Sequence, residues 1–236
     1  MGIATAARKA GVVLVDYAYA AGEQLRGMLD RRRLRRALAP AGGPDRLPVL
    51  LLPGVYETWR FLRPLARHLA GRGHDVHVVD GLRWNIASVE DGAREVARFL
   101  VASGIPRVAI VAHSKGGLIA KRVLELESER IAVVLAIATP FAGSPLARLV
   151  PLAGVRALGP AGADIVGLAA RPAANDRIVS IAPWFDPHIP GGSELAGARS
   201  VRLRTGGHFR ILSSRELFLV VDEELARTSR RPPAAT

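Results

Sequence analysis

The segment Arg107-Val-Ala-Ile-Val-Ala-His-Ser-Lys-Gly-Gly117 joins an apolar strand to a helix through one serine. Residues 107–112 form an apolar run of the kind found in a strand that is buried on both faces of a parallel sheet. Small residues surround Ser114, as in the G-x-S-x-G turn that exposes a serine between a strand and a helix. Ala112 replaces the first glycine of that pattern and keeps the position small. The segment therefore predicts a nucleophile elbow with Ser114 as the candidate nucleophile.

The chain on both sides of this segment alternates between apolar strands and amphipathic helices. Strands are predicted at 47–52, 75–79, 107–112, 131–138, 177–182 and 200–203, and helices at 57–70, 88–100, 116–126 and 214–226. Ser88, followed three residues later by Asp91, has the spacing of an N-terminal helix cap. Regular alternation of this kind predicts an α/β fold with a mostly parallel central sheet and helices on both faces.

Composition excludes several classes of protein. The chain has 236 residues, of which 49% are hydrophobic and 23% are charged, so it can bury a sizeable core and is neither disordered nor fibrous. It contains no cysteine, which excludes a disulfide scaffold, a zinc-thiolate site and a cysteine nucleophile.

The charge of the chain is strongly basic. Thirty-three basic residues against 21 acidic ones give a formal charge of +12, which favours polyanionic partners such as nucleic acid or anionic lipid. Most of the basic residues are arginines, and a GC-rich coding background is an alternative source of that bias. No recognisable nucleic-acid module and no aromatic residues interleaved with the arginines are found. We therefore expect no nucleic-acid partner.

The sequence divides into an N-terminal arm with a linker at 1–45, a main domain at 46–230 and a disordered tail at 231–236. Helical spacing predicts an amphipathic helix over 3–38, and the Pro- and Gly-rich residues 40–44 end it. The helix either packs on the main domain with a solvated basic end or attaches to an anionic membrane surface.

The start of the chain also has features of a secretory signal, in which basic residues precede an apolar run. Asp16 interrupts that run and argues against export, and no run reaches the roughly 18 apolar residues that a membrane-spanning helix needs. The sequence favours a cytoplasmic protein over a secreted one, with membrane association through the arm as an alternative.

Together these features resemble the α/β-hydrolase superfamily, and within it the small bacterial lipases and esterases that carry A-H-S-x-G-G. The resemblance runs from about Leu47 to Leu212. Pro53-Gly54-Val55 resembles the His-Gly-x oxyanion segment, with proline in place of histidine. Residues 139–145 are similar to the Thr-Pro-His-x-Gly-Ser segment of lipases. Gly206-Gly207-His208-Phe209 resembles the loop that presents a catalytic histidine.

The resemblance implies a catalytic triad in the chain order serine, acid, histidine. His208 follows the last predicted strand in a glycine-rich loop, whereas His188 lies on the acid's own loop. Asp186 comes just after the fifth strand and is the expected acid. Other acids compete for that role: Asp164, Asp176, Glu194 and Asp222. Of these, Asp164 and Glu194 lie in predicted loops and stay open as alternatives.

The family's chemistry implies hydrolysis of carboxylic esters through an acyl-enzyme, without an organic cofactor or a metal. The amides of Val55 and Lys115 are the expected oxyanion donors. We expect Tyr56, Phe141 and Leu146 to contact an acyl ester or lipid substrate.

The substrate class stays open in two respects. The apolar insertion at 141–176 is interpreted either as a lid or acyl-pocket wall or as helices that cap the core. A thioesterase or acyltransferase would use the same triad, and a non-catalytic basic adaptor could keep the same scaffold.

Overall fold

A computed structural model describes residues 3–29 and 46–230, and its central feature is one six-stranded sheet. The strands are β1 (Val49–Leu52), β2 (Val76–Val78), β3 (Val108–His113), β4 (Ile131–Ile137), β5 (Ile178–Pro183) and β6 (Arg199–Leu203). Their spatial order is β2-β1-β3-β4-β5-β6, and all five neighbouring pairs are parallel. The predicted parallel sheet is confirmed.

Helices connect the strands. They are α1 (Ile3–Leu29), α2 (Arg63–Gly71), α3 (Val89–Ser103), α4 (Lys115–Leu126), α5 (Ala153–Arg156), α6 (Ala163–Ala169) and α7 (Arg215–Ser229). The predicted cap of α3 is present: the Ser88 hydroxyl accepts from the Asp91 amide at 3.0 Å and donates to the Asp91 carboxylate at 2.7 Å.

Helices cover both faces of the sheet, and alternate strand residues point to opposite faces. In β1, Leu50 and Leu52 pack toward α3 and α4, whereas Val49 and Leu51 pack toward α2 and α7. All four residues are fully buried. Because both faces need apolar side chains, the strands have the uninterrupted apolar sequences that identify them.

The turn between β3 and α4 depends on close backbone approach. Ser114 adopts φ 51° and ψ −121°, a conformation that few residues other than glycine adopt. At Gly116, a Cβ atom would lie 2.5 Å from the carbonyl oxygen of Leu52 and 2.8 Å from that of Pro53. Glycine at 116 therefore lets α4 pack directly against the end of β1.

We expect Gly116→Ala to lower the free energy of unfolding by about 3 kcal/mol, since the methyl group would meet backbone that cannot move away. Gly167→Ala is the matched control, because nothing lies within 4 Å of its Cβ position in α6 and alanine favours a helix by up to about 1 kcal/mol. Urea unfolding of the two variants measures the difference. Equal stability of the two would contradict this packing.

Helix α1 lies against the rest of the chain. The Glu23 carboxylate accepts from Arg63 at 2.8 Å and 3.2 Å, and Gly27 is buried. Within 3–29 and 46–230, no helix combines the length and apolarity needed to cross a membrane. The predicted continuation of the helix to residue 38, the linker at 40–44 and the tail at 231–236 lie outside the described residues.

Candidate active site

Loops at the carboxyl edge of the sheet bring the predicted site residues together. Val55 follows β1, Ser114 follows β3, Asp186 follows β5 and His208 follows β6. In an open parallel sheet this edge is where ligands bind, because the connecting loops there converge.

Ser114, His208 and Asp186 form a continuous chain of hydrogen bonds. The Ser114 Oγ lies 3.1 Å from His208 Nε2, and His208 Nδ1 lies 2.8 Å from Asp186 Oδ2. The other oxygen of Asp186 accepts from the backbone amides of His188 at 2.8 Å and Ile189 at 3.1 Å. Both carboxylate oxygens are thereby engaged, which holds the acid and the imidazole in one orientation.

The competing acids lie elsewhere. Asp164 accepts from the Val89 amide at the start of α3, and Asp222 pairs with His68 and Arg72. Glu194 lies 3.4 Å from Arg202 on the surface. Among the described residues, the carboxylate bonded to the His208 ring is that of Asp186.

The charges of His208 and Asp186 stabilise each other. Burial disfavours protonation of His208, but attraction to Asp186 and the hydrogen bond to it outweigh burial and raise the pKa of the imidazole. For Asp186, burial is likewise outweighed by the charge and hydrogen bond of His208, so the pKa of the carboxyl is lowered. An imidazolium formed during a reaction would be stabilised in place.

His188 is a second imidazole beside the triad. Its ring centroid lies 4.8 Å from that of His208, and its Nε2 has no hydrogen-bond partner among the described residues. Burial and the neighbouring His208 lower the pKa of His188 to about 4, so this ring is neutral at physiological pH.

Of the two expected oxyanion donors, Lys115 lies directly after Ser114 at the start of α4. Lys115 is the first residue of α4, so its amide has no intrahelical partner and points out of the helix N-terminus. The Lys115 side chain turns away, and its buried ammonium donates to the carbonyl oxygens of Asn85, at 3.0 Å, and Ala87. Burial lowers the pKa of this ammonium to about 8.

Polar residues that the sequence did not single out hold the loop after β1. The Glu57 carboxylate accepts from the Gly54 amide at 2.8 Å, and the Asn85 side chain donates to the Pro53 carbonyl at 2.7 Å. Both side chains are buried. The sequence held one local sign of this contact: an acidic residue, Glu57, lies three residues after Gly54.

A cavity of about 480 Å³ opens onto Ser114 and His208. Tyr56 and Leu146 line it, whereas Phe141 does not: that ring is buried in the apolar core on the α3 and α4 side of the sheet. Further apolar side chains of the 141–176 insertion complete the wall: Ala147, Leu149, Val150, Val155 and Leu158.

Helix α1 also reaches this cavity. Tyr17 lines it, and the Tyr17 ring centroid lies 5.5 Å from that of His188 and 6.3 Å from that of Phe209. The domain division predicted from sequence separates the N-terminal arm, which contains α1, from the site, so the contact of Tyr17 with the cavity was not predicted. Within the described ranges, no three His, Asp or Glu side chains are grouped as a metal site requires.

No protein-family model and no curated protein sequence matches the chain. Solved structures do match it. The mature lipase BlEst2 of Bacillus licheniformis has a TM-score of 0.62 at 17% identity, over 78% of this chain and 94% of the lipase. An esterase of Thermogutta terrifontis has a TM-score of 0.56 at 16% identity, over 80% of this chain and 92% of the esterase.

A third structure, described as an alpha/beta hydrolase enzyme from a lagoon-sediment metagenome, has a TM-score of 0.61 at 16% identity. It matches over 79% of this chain and 92% of its own. The chain has the α/β-hydrolase fold. Within that fold, Ser114 occupies the strand-to-helix turn after β3, and the sheet is open, with β2 and β6 at its edges.

Proposed function

We propose that this protein is a serine hydrolase that cleaves carboxylic esters of acyl or lipid type. The observation that carries the proposal is the arrangement of Ser114 Oγ 3.1 Å from His208 Nε2, with Asp186 on the far side of the ring. A hydroxyl becomes a useful nucleophile when a base in this position takes its proton. The named lipase and esterase neighbours support the same reaction class.

The reaction follows from the positions of the atoms. Ser114 Oγ attacks the ester carbonyl carbon while His208 Nε2 takes the hydroxyl proton, and Asp186 holds the imidazolium through Nδ1–H. The carbonyl oxygen becomes an oxyanion facing the amides of Val55 and Lys115. The alcohol leaves with the proton from His208, which leaves an acyl group on Ser114. Water, deprotonated by His208, then releases the acid and restores the serine.

The cavity supports an acyl chain as the bound part of the substrate. Apolar side chains from the 141–176 insertion, including Leu146 and Leu149, form part of its wall. Apolar walls with a few polar groups at one end are typical of sites that bind a hydrocarbon chain and orient its ester. In this proposal the insertion forms an acyl-pocket wall.

The test of the proposal is hydrolysis of p-nitrophenyl esters from acetate to palmitate, with Ser114→Ala as the blank. We expect hydrolysis by the wild type, with the preferred chain longer than acetate because the pocket wall is apolar. Absence of hydrolysis on every ester would contradict the proposal, and transfer of the acyl group to other acceptors would be examined next.

We also infer peripheral contact with an anionic membrane surface. Tyr17 and Leu149 line the cavity and are 53% and 73% exposed, and Leu14 and Leu25 are exposed on α1. The cavity mouth is therefore continuous with an exposed apolar side of α1 in a chain of charge +12. A membrane phospholipase A is among the similar structures, with a TM-score of 0.57 at 16% identity over 95% of this chain and 99% of its own.

Vesicle sedimentation tests this contact. We expect binding to vesicles with anionic lipid, weakened by Leu14→Glu and not by Val101→Glu. Val101 is a matched control, because it is 59% exposed near the end of α3, at the opposite edge of the sheet. Equal binding of both variants would contradict a role for α1.

A further inference from the structure

Helix α1 contains a wholly buried carboxylate beside the candidate catalytic histidine. Most of the helix is exposed, yet Asp16, at its middle, has no accessible surface. A buried carboxylate is costly unless it is fully hydrogen-bonded, so its partners indicate what it does.

Those partners are three consecutive backbone amides, which begin at the histidine. Asp16 Oδ2 accepts from the His208 amide at 2.9 Å, and Oδ1 accepts from the amides of Phe209 and Arg210, both at 2.8 Å. Hydrogen bonds to an ionised carboxylate are about twice as strong as neutral ones. The loop that carries the histidine is thus fixed to a helix 192 residues earlier in the chain.

Glycine at 207 permits this approach. It has φ 108°, and a Cβ atom there would lie 2.5 Å from Asp16 Oδ1. The loop therefore requires glycine both for its backbone conformation and for space against the carboxylate.

The carbonyl of the same histidine is held from the other side. His113 Nε2 donates to the His208 carbonyl oxygen at 3.0 Å, and His113 Nδ1 faces the Glu57 carboxylate at 2.9 Å. The backbone of His208 is thus held between α1 and the end of β3, while its ring connects Asp186 to Ser114.

We propose that Asp16 is a positioning residue for the general base, and that α1 completes the active site by fixing the backbone of His208. The inference rests on the proposed function, since it assigns Asp16 a role in the proton transfer between Ser114 and His208. Asp16 itself touches neither Ser114 nor a reacting atom; it acts through the loop.

Charge gives this role a signature that packing alone lacks. The groups that act on the His208 ring are the carboxylates of Asp186, Glu57 and Asp16 and the rings of His113 and His188. Burial opposes protonation of the imidazole, whereas the three carboxylates raise its pKa. Because neutral His208 is the base, the rate rises with pH through this pKa, and loss of the Asp16 charge moves that rise to lower pH.

The experiment compares Asp16→Asn with Glu23→Gln. Asparagine keeps the shape but places an N–H where a backbone amide needs an acceptor, so the loop shifts. Glu23→Gln weakens the attachment of α1 through Arg63 without touching the loop. We expect Asp16→Asn to lower kcat about 100-fold with little change in KM, since small misplacements of catalytic groups have effects of that size. The kcat/KM profile should shift to lower pH, and Glu23→Gln should match the wild type in both.

An NMR titration of the His208 imidazole, assigned by comparison with His208→Gln, gives a readout that needs no activity. Asp16→Glu, which keeps the charge and displaces the carboxylate by one methylene, is the second variant; it should lower kcat with a smaller shift of the profile.

Absence of esterase activity in the wild-type protein would contradict the proposed function. Even then, a His208 pKa that is changed by Asp16→Asn and not by Glu23→Gln would support the positioning role. Asp16 variants with wild-type kcat and titration, or an equal loss in Glu23→Gln, would overturn it.

Discussion

Replacing Ser114 with alanine is expected to lower kcat for ester hydrolysis by about 10⁵- to 10⁶-fold. The Ser114 hydroxyl is the oxygen within reach of His208 Nε2 in the cavity, and no acyl-enzyme can form without it. Because the triad acts as a unit, adding His208→Ala to Ser114→Ala should cause little further loss.

Steady-state kinetics on the preferred p-nitrophenyl ester measures this loss. Ser103→Ala is the matched control, since its hydroxyl donates to the Leu100 carbonyl at the end of α3, away from the cavity. A Ser114→Ala enzyme that keeps more than a small fraction of wild-type kcat would contradict nucleophilic catalysis by this serine.

The second large effect is expected at Asp186, where asparagine should lower kcat by about 10⁴-fold. Asp186 Oδ1 accepts from two backbone amides, so the asparagine oxygen should take that place and its N–H₂ should face His208 Nδ1. The ring would then carry its proton on Nε2, toward Ser114, and could not act as a base. The three side chains would keep their positions, but His208 would be in the tautomer that cannot accept the Ser114 proton.

Asp164→Asn is the matched control for this substitution and tests a competing acid directly. Asp164 accepts from the Val89 amide, so its replacement should affect α3 and leave kcat within about threefold of the wild type. A large loss in Asp164→Asn, with near-normal activity in Asp186→Asn, would reverse the assignment of the acid.

The fold was predictable from sequence because its signals are local. Strands buried on both faces must be continuously apolar, as Val49–Leu52 is, and the helix cap at Ser88 lies within four residues. The strained backbone at Ser114 likewise belongs to a single turn between β3 and α4, which the motif around the serine identifies. Features of this kind can be recognised within a short stretch of sequence, without knowledge of distant residues.

The parts of the candidate site that sequence reasoning missed depend on contacts between distant segments. Asp16 was interpreted only as an interruption of an apolar run, because nothing near it in sequence reveals amides 192 residues later. Glu57 and His113 pair across 56 residues in the same way. Phe141 packs in the apolar core and does not line the cavity; it lies in an irregular stretch, where no strand or helix period predicts the side-chain direction.

The most direct test of an activated Ser114 is labelling with a fluorophosphonate, followed by mass spectrometry of the peptides. Ser114 Oγ would form a bond to phosphorus with loss of fluoride. This nucleophilic attack by the serine corresponds to the first step of ester hydrolysis. We predict a single adduct on the peptide that contains Ser114, formed slowly or not at all in His208→Ala. An adduct on another residue, or ester hydrolysis by a protein that forms none, would contradict the assignment of the nucleophile.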